Sequence, residues 1–182
     1  MSKGARFVIL GEDTQHLVFA RRFLIEIGLA NNREITVLPT AAGQGSGEQW
    51  VRERFPAELK AVRRRSTSQR VALLVLIDGD TQTPAERNQQ LSKACVARAI
   101  APPNPTDPVA VFVPRRNIDT WIRFLAGTAV NETDSYRALD RERECRESVR
   151  TLAGACRERQ LPAGVPSSLR EACDEFNRIV RV

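Results

Sequence analysis

Residues 71–77, VALLVLI, are apolar without a break and are followed at once by Asp78-Gly79-Asp80. A strand with one face in water alternates apolar and polar residues; one that is apolar throughout is covered on both faces, the condition of an interior strand in a parallel sheet. Three further short segments, residues 6–10, 35–39 and 109–113, are apolar and end in turn signals, so they read as its neighbours. Between them lie helical patterns at 14–27, 48–64 and 84–100, the first placing Leu17, Ala20, Phe23, Leu24 and Ile27 on one face. Strand and helix alternating in this way require right-handed crossovers, which predicts an α/β fold with a mostly parallel four-stranded sheet flanked by helices. The stretch PPNPTDP at 102–108 cannot be helical and delivers the chain into the fourth strand.

From Tyr136 onward the pattern changes to an arginine-rich helix reaching about Arg159, an LPAGVP break, and a last helix in which Ser168 and Glu171 have capping-box spacing. This divides the chain into an α/β domain over 1–135 and a helical C-terminal appendage over 136–182, whose amphipathic pattern suits a homodimer surface. No apolar run approaches the roughly 20 residues that span a bilayer. The first ten residues hold only a four-residue apolar stretch, too little for a signal-peptide core, so a cytoplasmic protein is expected. Cys95, Cys145, Cys156 and Cys173 form no CxxC pair and have no nearby histidine, which points to reduced packing thiols and away from zinc.

Net charge is +6, carried almost wholly by arginine, since the lysines are Lys3, Lys60 and Lys93 alone. Arginine's planar fork suits phosphate oxygens, so nucleic acid is the expected partner, although a GC-rich genome produces the same bias.

In an open parallel sheet, functional groups collect where the loops open a crevice at the carboxyl ends of the strands. Glu12 and Asp13 follow the first strand, Asp78 and Asp80 the third, and Asp119 comes shortly after the fourth. An isolated Asp-Gly-Asp caps a helix or shapes a turn. Joined by a second acid at the end of the first strand, it reads instead as a metal site: carboxylates brought together repel, and a hard divalent cation such as Mg²⁺, with Mn²⁺ as a substitute, offsets that repulsion.

Arg115, Arg116 and Asn117 lie beside Asp119 and Trp121, where a cation would clamp a phosphate; otherwise the arginines are solvated and Trp121 and Ile118 are core. Arg87 is a lesser candidate of the same kind. Gly43-Gln44-Gly45-Ser46-Gly47 opens a helix, either as a phosphate cradle or as a tight turn capped by Ser46. His16, one turn after Glu12, is read as a surface residue. Arg63-Arg64-Arg65 form a solvated helix end, and Glu132 and Asp134 either complete a second metal position or are polar loop.

These motifs resemble those of the Toprim superfamily, which pairs a glutamate after the first strand with a DxD after a later one: here Glu12 in VILGED, and Asp78 and Asp80 in LVLIDGD. The resemblance spans residues 6–125, and the stretches GEDTQHLVFARRFL, GQGSGEQWVRERFP and VPRRNIDTWI are similar to those of small standalone Toprim-like proteins of bacteria and phage-defence loci. It implies Glu12 as general acid/base or metal ligand and Asp78 and Asp80 as Mg²⁺ ligands, while Arg116 and Asp119 are further catalytic candidates by their position at the end of the fourth strand. It also implies a metal-dependent nuclease, acting on DNA or RNA and suited to an antiviral role. Two departures stand out: Asp13 where many members have Gly, and Asp119 where related sequences have Glu.

Topoisomerase chemistry needs a tyrosine nucleophile and a strand gate, and Tyr136 is the only tyrosine. The competing reading is a non-catalytic subunit that binds nucleic acid or an ATPase partner, as overcoming-lysogenisation-type systems couple Toprim to an ATPase. An aspartyl-phosphate domain would need a lysine near the phosphate, and lysine is nearly absent after Asp80.

Overall fold

The computed structural model describes residues 5–41 and 46–180. Its sheet contains β1 (Arg6–Gly11), β2 (Ile35–Val37), β3 (Val71–Leu76) and β4 (Val109–Phe112) in the order β2-β1-β3-β4, every pair parallel. The uninterrupted apolar run is the interior strand: β3 pairs with β1 from Arg6↔Val71 to Gly11↔Leu76 and with β4 on its other side, and all six of its residues are buried.

Alternate residues of β3 feed two cores. Ala72, Leu74 and Leu76 face α1 (Thr14–Glu26), α4 (Ile118–Leu125), α5 (Arg146–Glu158) and α6 (Ser167–Ile179), whereas Val71, Leu73 and Val75 face α2 (Gly47–Ser66) and α3 (Pro84–Val96). The result is a Rossmann-like three-layer fold. Among the described residues no helix is long and apolar enough to cross a membrane.

The C-terminal helices α5 and α6 supply part of the first core. Phe176 on α6 packs 4.8 Å from Phe23 and 6.1 Å from Phe7, centroid to centroid, and Phe23 and Trp121 each reach Phe112. Each buried ring contributes roughly 1.5–3 kcal/mol, so the first strand and the last helix stabilise one another. Residues 136–141 are not helical; a 3-10 turn, Glu142–Cys145, leads into α5.

Three local expectations are corrected. Cys156 and Cys173 form a disulfide between α5 and α6, with Cα atoms 5.2 Å apart, while Cys95 and Cys145 stay free and buried. The bridged pair is 17 positions apart, and the chain between folds into a helical hairpin that faces the two thiols toward each other, which linear spacing does not reveal. Arg63 is not solvated: it forms paired hydrogen bonds of 2.8 and 2.6 Å to Asp107 and donates to the Ala101 and Pro102 carbonyls, pinning the proline-rich loop.

The third correction concerns the start of α6, where no side chain of the helix itself serves as cap. Glu132 does so from 35 residues away, accepting from the Ser167 and Ser168 N–H groups at 3.1 and 3.0 Å and from the Ser167 hydroxyl at 2.7 Å. Ser168 Oγ turns inward instead, accepting from Trp121 Nε1 at 2.8 Å and from the Arg115 N–H at 3.3 Å. Burial works to raise the Glu132 carboxyl, and the Ser167 and Ser168 donors outweigh it, so its pKa falls below the ordinary 4.5. A depressed carboxylate stabilises the fold above its ordinary value and loses that contribution as pH falls through its folded value. Glu132→Ala is therefore expected to cost about 1–2 kcal/mol at pH 7 and less at pH 3, as read from urea unfolding midpoints.

Candidate functional site

β1 and β3 are neighbours in register, so Glu12 and Asp78 emerge side by side at their carboxyl ends. Glu12 Oε1 accepts the Asp78 N–H at 2.7 Å, tying the two loops together. The start of α2 presses on the same point: a Cβ on Gly47 would lie 2.7 Å from both the Cβ and the carbonyl oxygen of Glu12, so only glycine fits there. Ser46 caps α2 through the Gln49 N–H. Residues 43–45, the remainder of the expected phosphate cradle, lie outside the described residues.

The Asp78-Gly79-Asp80 turn is zipped to the loop after β4, with the Gly79 N–H donating to the Pro114 carbonyl at 2.8 Å and the Asp80 N–H to the Arg116 carbonyl at 2.9 Å. A Cβ on Gly79 would meet the Gln82 carbonyl at 2.8 Å. Asp80 and Arg116 both hold positive φ, 53° and 71°. An aspartate tolerates that conformation with its own side chain, whereas an arginine adopts it at an energetic cost that the surrounding structure must offset.

Arg87 organises the turn from α3. It is 6% exposed and donates from Nε to the Asp78 carbonyl at 2.8 Å, from Nη2 to Asp80 at 2.9 Å and from Nη1 to Gln90 at 2.9 Å. Nη1 also lies 3.0 Å from Glu48 Oε1, a charge contact that misses hydrogen-bond geometry. With its donors taken up inside the protein, Arg87 holds the loop and is not a free phosphate clamp.

His16 is wholly buried, which corrects its reading as a surface residue. Nδ1 lies 2.8 Å from Asp13 Oδ1 and Nε2 lies 2.9 Å from Asp78 Oδ1. With both carboxylates ionised each can only accept, and both ring nitrogens then donate. Burial pulls the imidazole toward neutrality, but Asp78 and Asp13 outweigh it and hold its pKa well above 6.5. Asp13 also caps α1 by accepting the His16 N–H at 2.9 Å. Asp13 and His16 are thus the two members of this cluster that linear reasoning undervalued. The signal was their spacing, since a capping residue and the position three further along share a face of the first turn.

Burial, reinforced by Asp78 and Asp80 and opposed by His16, pushes the Glu12 carboxyl from 4.5 up to about 7. Burial likewise raises Asp78 against the pull of His16. Asp119, in the first turn of α4, is 6% exposed, and its Oδ1 has no hydrogen-bond partner among the described residues. Burial raises its pKa, with the charges of Asp78 and Asp13 adding to the effect. Asp119 therefore shares the electrostatic field of the cluster.

The side chain of Arg116 forms no ion pair or hydrogen bond with a described residue, while its backbone adjoins Asp80. Glu132 and Asp134 lie elsewhere, one capping α6 and the other accepting from Asn131.

Among the described residues no three such side chains form a ready-made ligand set for a metal. Glu12, Asp78 and Asp80 nevertheless suit a hard cation: each has one oxygen engaged within the protein, by Asp78 N–H, His16 and Arg87 respectively, and one oxygen left over. The raised Glu12 and Asp78 pKa values register burial first and the neighbouring carboxylates second, and a cation bound there would offset both. No family model, curated protein or solved structure matches the chain.

Proposed function

We propose that this chain is a Mg²⁺-dependent nuclease of Toprim type that hydrolyses phosphodiester bonds in DNA or RNA and is suited to a phage-defence role. The observation that carries this reading is the convergence of Glu12 with Asp78 and Asp80 at the carboxyl end of the sheet, with the Glu12 carboxyl pushed to about 7. A carboxyl group titrating near neutrality suits general acid/base work, because it both takes and gives a proton at working pH.

Glu12, Asp78 and Asp80 would hold Mg²⁺, or Mn²⁺ in its place, which when bound polarises a phosphate oxygen. Where Glu12 is left out of the ligand set, it would accept the proton of the attacking water. The Arg116 guanidinium would meet the charge gathering on the phosphate, and Asp119 would orient groups around Asp78. The net charge of +6 favours a polyanionic substrate. Cytoplasmic action, and operation as a homodimer or beside an ATPase subunit, belong to the same proposal.

The test is cleavage of labelled plasmid, single-stranded DNA and total tRNA by purified protein with Mg²⁺, Mn²⁺ or EDTA. Glu12→Ala and Asp80→Ala are expected to lower the rate at least a hundredfold, and EDTA to abolish it. The internal pairing of Asp78 with His16 and of Asp80 with Arg87 favours a second reading, in which the acidic cluster is structural and the chain is a non-catalytic subunit binding nucleic acid or an ATPase. No cutting of any substrate, with nucleic-acid binding retained in the Asp80→Ala variant, would select that reading.

A further inference from the structure

Asp13 and His16 have no part in the chemistry proposed above, yet both are built into the site. His16 is sealed from solvent between two carboxylates, with Asp13 on one ring nitrogen and Asp78 on the other. The backbone makes room for it: a Cβ on Gly11 would come within 3.0 Å of His16 Cβ and 3.1 Å of Leu17 Cδ2, so the close approach of α1 to the end of β1 depends on glycine. Asp13 is anchored a second time as the cap of α1, which sets the ring's position relative to the helix. The direction of this chain is plain from exposure, since the Asp13 side chain is 60% exposed, His16 0% and Asp78 16%. It runs from the exposed Asp13 through the buried ring to one oxygen of the candidate metal ligand.

We infer that His16, oriented by Asp13, is the positioning residue that fixes Asp78 so that its second oxygen is presented to a divalent cation. The inference rests on the metal reading above. Carboxylates that bind metals are held by hydrogen bonds to their other oxygen, and loss of such a partner typically weakens metal binding 10- to 100-fold. Here Arg87 holds the Asp78 carbonyl and Glu12 its N–H, so the backbone is fixed twice while the carboxylate itself depends on His16.

Two substitutions separate this role from simple filling of space. The amide nitrogen of glutamine reaches where Nε2 lies and can donate to Asp78; that of asparagine reaches where Nδ1 lies and can donate only toward Asp13. Calorimetric titration with Mn²⁺ should find H16Q within about threefold of the wild-type affinity and H16N at least tenfold weaker, with both variants giving the wild-type circular dichroism spectrum. Equal weakening in the two variants, or undiminished binding in H16N, would overturn the inference while leaving the metal reading intact. A wild-type protein that takes up no Mn²⁺, like D78N, would overturn the metal reading and this inference with it. Should H16N not fold, D13N puts the same question from an exposed position: it keeps an acceptor for the helix cap and should still weaken Mn²⁺ binding about threefold, and unchanged affinity would refute the assignment.

Discussion

In EDTA at pH 8, Glu12→Gln is expected to be more stable than the wild-type protein by about 3 kcal/mol, and at pH 4 the two should unfold together. The sign follows from the direction of the shift. A carboxyl group whose pKa rises from 4.5 to about 7 on folding favours the folded state fully below 4.5, and that advantage is lost as pH climbs through 7. Moving a carboxyl over that range corresponds to about 3 kcal/mol, or roughly 6–12 °C in thermal midpoint for a chain of this size. Glutamine keeps the oxygen that accepts the Asp78 N–H and removes the charge, so the difference between the two proteins reports the carboxyl together with its coupling to His16 and Asp78. Added Mg²⁺ should narrow the gap at pH 8, because a cation stabilises the ionised glutamate and has little hold on the amide. Scanning calorimetry at the two pH values, with EDTA and with Mg²⁺, checks each arm. A gap that is the same at both pH values would show that Glu12 does not titrate in this way.

Arg87→Met is expected to destabilise the protein by about 2–4 kcal/mol. The substitution removes the donor to the buried Asp78 carbonyl and leaves Glu48, whose side chain is 17% exposed, with only the longer ion pair to Arg52 at 3.5 Å. Deleting one partner of a buried pair costs more than the pair contributes, because the other charge loses most of its compensation, here all but the half-exposed Arg52. The contact to Asp80 adds little, since that carboxylate is 62% exposed and screened by water. The double variant R87M/E48Q should therefore recover part of the loss, a coupling of about 1 kcal/mol or more in a double-mutant cycle measured by urea unfolding. Strict additivity would show that Arg87 acts through Asp78 alone.

Periodicity carried the strands because each apolar run has a single physical reading: a stretch such as 71–77 that offers water no polar face must lie inside a sheet. The acidic cluster was legible for the same reason, as Glu12 and Asp78 sit at strand ends and the register of β1 with β3 brings them together. What periodicity does not encode is the identity of a partner contributed from afar. Glu132 reaches the start of α6 across 35 residues, Arg63 reaches Asp107 across 44, and Cys156 meets Cys173 only once their helices have folded back on each other. The burial of His16 goes against a local rule, because a histidine in the first turn of a helix normally faces water, and here that turn packs closely on Gly11, where a side chain would be crowded.

The contact between Phe7 and Phe176 bears on how the molecule comes to exist. Two rings near opposite ends of the chain belong to one core, so the apolar face of the sheet is not covered until α6 has been synthesised. A chain still being translated holds β1 and α1 with part of that face bare, and the loop-closure entropy of joining the ends is met late. Folding of this domain thus waits on its last helix and rests on many non-local contacts, slow relative to a helical bundle of equal size. Any fusion or truncation that delays or removes the last helix leaves an adhesive surface exposed to neighbouring chains.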